Sequence, residues 1–158
     1  MQRYFAKGKS DNYIVLEDGD MHHVKNVMRM VSDDRIECVF NKKVYLCKVG
    51  DVLDNKFEII EEKREYNELP CEVAVAIGLV REQKMDLILQ KLTELGVNTI
   101  IPVSMERSIV KLDDSKFAKK KTRWETICKE ASEQSKRTSI PVITEIMSVK
   151  ELAKLEAD

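Results

Sequence analysis

The 158-residue sequence predicts an α+β chain of two unlike parts: a small β-barrel crossed by a helix, then an α/β half built on a parallel sheet. Three observations carry this. Short β-prone runs follow one another before Pro70, a strand–helix alternation replaces them after it, and a polar segment from Lys63 to Pro70 separates the two rhythms. The expected domains are residues 1–70 and 71–158.

In the first part, Tyr13 to Leu16 is a compact run of β formers. Asp20 is placed to cap a helix whose Val24, Val27 and Met28 share one face at helical spacing. Arg35 to Phe40 and Lys43 to Val49 read as strands joined by a tight turn at Asn41-Lys42. In Lys56 to Glu62, Phe57 and Ile59 alternate with Glu58, as in a half-buried strand. Several short strands in so few residues favour closure into a barrel.

In the second part, Val73 to Leu79 is a continuous apolar strand, the pattern of a strand covered on both faces. Gln83 to Leu95 is helical, with Met85, Ile88, Leu89, Leu92 and Leu95 on one stripe and Gly96 as its stop. Thr99 to Val103 is a second buried strand. Asp114 or Ser115 opens a long helix reaching about Lys136, with Phe117, Trp124, Ile127, Cys128 and Ala131 inward. Val142 to Ile146 is a third strand, and Ser148 caps a last helix through Leu152 and Leu155. This βαβαβα order is that of a parallel sheet.

Composition removes several classes. With 43% hydrophobic and 35% charged residues the chain has apolar surface enough for a core, which sets it apart from disordered chains. The longest apolar run, Val73 to Val80, is far short of the roughly 20 residues of a spanning helix, so no membrane partner is expected. No cationic-then-apolar leader is seen, and the four cysteines lack CxxC spacing, which predicts reduced thiols, no metal site and a cytoplasmic location. The five glycines are isolated, so a phosphate or dinucleotide cradle built on clustered glycines is not expected. The net charge of −1 conceals the window 107–137, which has 10 basic and 5 acidic residues. Such a face can hold a polyanion, although Lys119-Lys120-Lys121 alone reads better as a solvated helix surface.

Candidate site residues are few. His22 and His23 are adjacent on a helix and point apart, so one is expected to pack or cap and the other to face solvent. Arg107 and Ser108 follow the Thr99–Val103 strand at the edge where parallel α/β sheets bind ligands. Glu130, Gln134 and Arg137 fall close to one face of the long helix. Arg can grip phosphate and Gln can read a base edge, but a surface salt-bridge ladder explains the trio as well.

The segment Met21-His22-His23-Val24-Lys25-Asn26-Val27-Met28-Arg29-Met30 resembles the H-x-x-x-V-L-R-M helix of the RsmE family, the uracil-N3 methyltransferases of small-subunit ribosomal RNA. The resemblance continues, in order, in Lys84-Met85-Asp86, in 90–97, in 101–108, in Arg123-Trp124, in 130–137 and in Ile140-Pro141. It implies a PUA-like β-barrel that helps bind RNA, followed by a SPOUT-type α/β domain with a knot, in a homodimer. It also implies methylation of N3 of one uridine in 16S ribosomal RNA of the assembled small subunit, with S-adenosylmethionine as donor. Arg107 is then the candidate catalytic residue, and Lys25, Arg29, Arg123, Gln134 and Arg137 are candidate RNA contacts. Arg29 has a plainer alternative in pairing with Asp33 or Asp34.

The family's G-P-E-G-G loop and L-G-x-R-I-L-R segment, which build the knot and the donor pocket, are not found in these residues. The α/β domain is therefore expected to be incomplete, with the S-adenosylmethionine site beyond Asp158, and the 158 residues to be inactive alone. Two other readings stay open: an RNA-binding module without catalysis, and a structural protein with a solvated basic helix.

Overall fold

The computed structural model describes residues 1–51, 54–107, 110 and 112–155. It divides into two compact units, Met1–Asn67 and Glu68–Asp158.

The first unit is a closed five-stranded barrel. Its strands are β1 (Arg3–Lys9), β2 (Tyr13–Leu16), β3 (Arg35–Phe40), β4 (Lys43–Val49) and β5 (Phe57–Lys63). The order is β1-β2-β5-β4-β3, closed by a parallel pairing of β1 with β3. Closure removes the exposed edges of a short-stranded sheet. Asn41 (φ 49°) and Lys42 (φ 62°) both take the left-handed conformation in the β3–β4 turn, as a two-residue hairpin of this hand requires. Asn55 donates to the Leu16 carbonyl (2.8 Å) and accepts from its N–H (2.9 Å), standing in for a ladder residue.

The helix across the barrel differs from its expectation. α1 (Asp18–His22) runs directly into a π-helical turn (His23–Val27), and Asp20 lies inside the helix as a buried residue rather than at its cap. Met21 and Val24 enter the barrel core beside Ile14, Leu16, Ile36 and Phe57. The wider turn rotates the chain, so Val27 (59% exposed) and Met28 face away from the core that a regular α-helix would have given them.

β1 is absent from the sequence expectation, because its buried positions include a charge. Arg3 is buried and pairs with Glu37 (3.0 Å) and Glu65 (2.5 Å), while Lys63 reaches Glu37 at 2.8 Å. Tyr4 donates to or accepts from His23 Nδ1 at 2.9 Å, which makes His23 the packed member of the histidine pair and leaves His22 exposed. Cys38 and Cys47 are buried free thiols on adjacent strands, and the hydrogen bond to Cys47 together with burial pushes the Cys38 thiol well up.

The second unit holds an all-parallel sheet. β6 (Ala74–Gly78) pairs with β7 (Thr99–Ser104), and β7 pairs on its other side with β8 (Val142–Ile143) and then β9 (Met147–Ser148). The third strand is thus two short pieces, separated by residues 144–146, of which Thr144 still donates its N–H to the Ile100 carbonyl at 3.0 Å. β7 is buried along Ile100 to Val103, whereas β6 is an edge strand with Ala74 and Ala76 exposed, so the expected cover on both its faces is not seen among the described residues.

Three helices pack here: α2 (Glu82–Glu94), α3 (Asp114–Gln134) and α4 (Val149–Leu152). Met85 and Leu89 of α2 and Phe117, Trp124 and Cys128 of α3 form one core with Leu79, Val97, Ile100 and Ile143. Phe117 and Trp124 meet edge to face at 6.0 Å. Gly96 ends α2 at φ 95°, with the Val97 N–H bonded to the Leu92 carbonyl. Leu95 is the capping residue just before it, turns outward and is 70% exposed, off the stripe its spacing placed it on. α3 opens at Asp114, as expected, and Asp113 caps it by accepting from the Lys116 N–H at 2.9 Å. That bond and the Lys116 ammonium hold its carboxyl down at about 2. Ser148 caps α4 in a reciprocal box with Glu151; the helix stops at Leu152, and Leu155 is half exposed.

Candidate nucleic-acid interface

Of the predicted RNA contacts, Arg123 and Gln134 come together and Arg137 does not join them. Two α-helices packed side by side leave a channel between their outward ridges. Between α2 and α3 that channel is a groove of about 370 Å³ lined by Asp86, Leu87, Gln90, Arg123, Ile127, Glu130, Ala131 and Gln134. Six of these eight residues lie in the segments that carry the family resemblance: Asp86, Gln90, Arg123, Glu130, Ala131 and Gln134. Arg123 donates to Asp86 Oδ2 at 2.6 Å and approaches Glu82 at 3.3 Å. This leaves Asp86 Oδ1 buried without a hydrogen-bond partner.

Arg137 lies beyond the end of α3, where Lys136 takes a left-handed conformation (φ 61°) and redirects the chain. Its side chain is 2% exposed. The guanidinium donates to Glu68 Oε2 through Nε (3.1 Å) and Nη2 (2.7 Å), and through Nη1 to the carbonyls of Thr93 (3.2 Å) and Val97 (2.7 Å). Glu68 Oε1 accepts in turn from the Thr138 and Ser139 N–H groups. Burial pushes the Glu68 carboxyl up, but Arg137 and Thr138 overcome this and hold it below its ordinary value. The guanidinium is engaged by a carboxylate and by the Thr93 and Val97 carbonyls at and just past the C-terminal end of α2, so an RNA contact at Arg137 would have to displace these partners.

The positive window 107–137 is also less basic in space than in sequence. Lys120 approaches Glu82 (3.7 Å), Lys121 pairs with Glu145 (2.6 Å), and Arg123 pairs with Glu82 and Asp86, all carboxylates outside the window. A phosphate binding this side of α3 must displace them.

Arg107 is exposed in the turn just past β7, at the C-terminal edge of the parallel sheet. Ser108 lies outside the described residues. A second cavity, of about 240 Å³, opens near this edge between the end of β6, α2 and α3, with Leu79, Met85, Leu112 and Trp124 as apolar lining and Arg81, Glu82 and Lys120 as charged lining. In the barrel unit, Lys25 is half-buried on the π-helical turn, and Arg29 follows it, exposed and left-handed (φ 50°). Asp33 pairs with Lys48 (2.6 Å) and Asp34 accepts from the Val31 N–H, so neither carboxylate is given over to Arg29.

The residues that sequence reasoning misses are those whose value depends on a distant partner. In the sequence Asp86 is only part of a short motif and Glu68 only part of a linker; no local signal marks either. Among the described residues no group of three His, Cys, Asp or Glu side chains is placed to hold a metal, and no helix is long and apolar enough to cross a membrane. A nucleoside donor needs closely approached backbone N–H groups, which glycines supply. Here a Cβ on Gly78 would meet the Met105 side chain at 3.3 Å, and one on Gly96 would meet Leu69 Cγ at 2.9 Å.

Residues 67–158 match the model of an RNA methyltransferase domain, and residues 16–63 that of an RNA methyltransferase PUA domain. The chain is 38% identical to ribosomal RNA small subunit methyltransferase E of Bacillus subtilis (strain 168), over 100% of this chain and 65% of that protein. It is 32% identical to the protein of the same name from Mesomycoplasma hyopneumoniae (strain 232), over 96% and 65%. The crystal structure of a ribosomal RNA small subunit methyltransferase E from Neisseria gonorrhoeae bound to S-adenosyl methionine superposes with a TM-score of 0.88 at 29% identity, covering 99% of this chain and 66% of that one. The chain thus spans about 65% of the length of the curated relatives it matches. With a barrel and a parallel α/β unit in the same order as these relatives, the chain belongs to the RNA methyltransferase family that includes the small subunit methyltransferase E proteins.

Proposed function

We propose that this chain is the RNA-positioning part of an enzyme that methylates N3 of one uridine in 16S ribosomal RNA of the small subunit, with S-adenosylmethionine as methyl donor and two copies in the working assembly. The observation that carries the reading is the two-unit architecture together with the gathering of six family-motif residues on one groove. Removing the N3–H proton of uracil leaves negative charge on O2 and O4, which a nearby cation stabilises. Arg107, exposed at the ligand-binding edge of the sheet, is assigned that role. Lys25 and Arg29 of the barrel unit and Arg123 and Gln134 of the α/β unit are assigned to RNA.

A second reading rests on the isolation of the five glycines in the sequence: the 158 residues bind structured RNA and do not catalyse. Calorimetry with S-adenosylmethionine separates the readings. No heat of binding is expected from the 158-residue chain, and micromolar binding by it would overturn the second reading. In a protein of the relatives' full length carrying this chain, Arg107→Ala should lower the single-turnover methylation rate by about tenfold or more. An unchanged rate would remove Arg107 from the reaction.

A further inference from the structure

We infer that the α2–α3 groove is a reading site for one unpaired guanine of the bound RNA. This rests on the RNA-binding reading above and deepens it. The groove has three properties that together select a ligand. Its acceptors are the exposed Glu130 carboxylate and Asp86, whose Oδ1 has no partner and is covered from solvent. Its donors are Arg123, whose side chain is 55% exposed while it holds Asp86 Oδ2, and Gln134, an exposed residue. Between them, Leu87 (55% exposed) and Ile127 offer an apolar surface to the face of a ring.

Two carboxylates against one guanidinium make the groove a poor place for a phosphate and a good one for N–H groups. Among the nucleobases only guanine presents two adjacent donors, N1–H and the 2-amino group, on one edge and two acceptors, O6 and N7, on the next. Adenine and cytosine each bring one amino group, and uracil one N–H. The volume of about 370 Å³ accommodates a purine with its ribose. An arginine side chain from a protein partner shares the paired-donor edge. It has no acceptor for Arg123 or Gln134, so the observations favour the base. Sequence-specific RNA recognition of this kind acts on unpaired nucleotides whose edges are open.

The test uses the 158-residue chain and fluorescein-labelled RNA hairpins that differ only at one loop position: guanine, inosine (which lacks the 2-amino group) or adenine. The guanine hairpin should bind about tenfold more tightly than the inosine hairpin, the loss expected when a hydrogen bond to a carboxylate is removed. Glu130→Gln, at an exposed position, should shrink that ratio, whereas Gln134→Ala, also exposed, should weaken the guanine and inosine hairpins alike, because both bases keep O6 and N7. Asp86→Asn should shrink the ratio too, and the exposed variants decide the matter if this one fails to fold. Equal binding of the three hairpins would overturn the guanine site and leave RNA binding standing. No binding of any hairpin would overturn both. If N-acetyl-arginine amide shifts the side-chain amide resonances of Gln90 and Gln134 while guanosine does not, the groove belongs to a protein partner and the inference fails.

Discussion

Arg137 and Glu68 stand 69 positions apart and form a two-point ion pair in which the carboxylate is 9% and the guanidinium 2% exposed. The pair fastens the first residue of the second unit to the turn that ends α3 and, through the Thr93 and Val97 carbonyls, to the end of α2. Removing one member strands the other in a buried place. Arg137→Ala is therefore expected to destabilise the α/β unit by about 3–5 kcal/mol. Urea unfolding followed by fluorescence checks this, because Trp124, the one tryptophan, lies in the core of that unit. A loss below about 1 kcal/mol would show the pair to be dispensable.

The same pair sets a pH dependence. The Glu68 carboxyl is held below its ordinary value in the folded state, so the unfolded chain takes up its proton first as pH falls. The stabilisation is then complete above the unfolded value of about 4.3 and fades as pH drops through the lower folded value. The Trp124 unfolding midpoint should be flat in this contribution from about pH 7 to 5 and fall below about pH 4. In Glu68→Gln the part of that fall owed to this carboxyl should disappear.

The barrel has its own buried charge. Arg3 bridges Glu37 and Glu65 from a side chain with no exposure. Arg3→Met should cost about 3 kcal/mol, at the low end for a broken buried pair because Lys63 still neutralises Glu37. Arg3→Lys should recover only part of it, since an ammonium cannot reproduce the fork. Loss of the strand signal in circular dichroism, with Trp124 fluorescence kept, is the readout that confines the damage to the barrel.

Gly96 makes a sharper local prediction. Its φ of 95° and the Leu69 side chain, 2.9 Å from where a Cβ would stand, both oppose any other residue. Gly96→Ala should lose about 1–3 kcal/mol. Adding Leu69→Ala should recover the steric part and leave the backbone part, a separation that thermal melts of the three variants can measure.

These examples also show what is legible in the chain. Gly96 and the Asn41-Lys42 turn are legible because backbone conformation is a local property with few residue solutions. The β3 and β4 strands and the cores of α2 and α3 are legible from apolar period alone. β1 is not, because a pattern of apolar residues has no place for a buried Arg3 whose partners arrive from β3 and beyond β5. The π-helical turn at His23–Val27 is not, because one added residue per turn leaves the same letters and shifts the face they present. The burial of Arg137 is illegible for the same reason as that of Arg3: its surroundings are decided by a carboxylate far away in sequence. Arg123 and Gln134 fall near one another by helical spacing, but Asp86 across the groove belongs to tertiary packing.

The most direct measurement of the central claim is the salt dependence of RNA binding by the 158-residue chain. Titration against a 16S ribosomal RNA fragment at about 50 to 200 mM salt should give an affinity that falls steeply and linearly on logarithmic axes. The slope should be that of a few phosphate contacts, about −0.7 to −0.9 per contact. Arg29→Ala should reduce the slope by about one contact. Binding that does not change with salt, or no binding even at the lowest salt, would contradict the account.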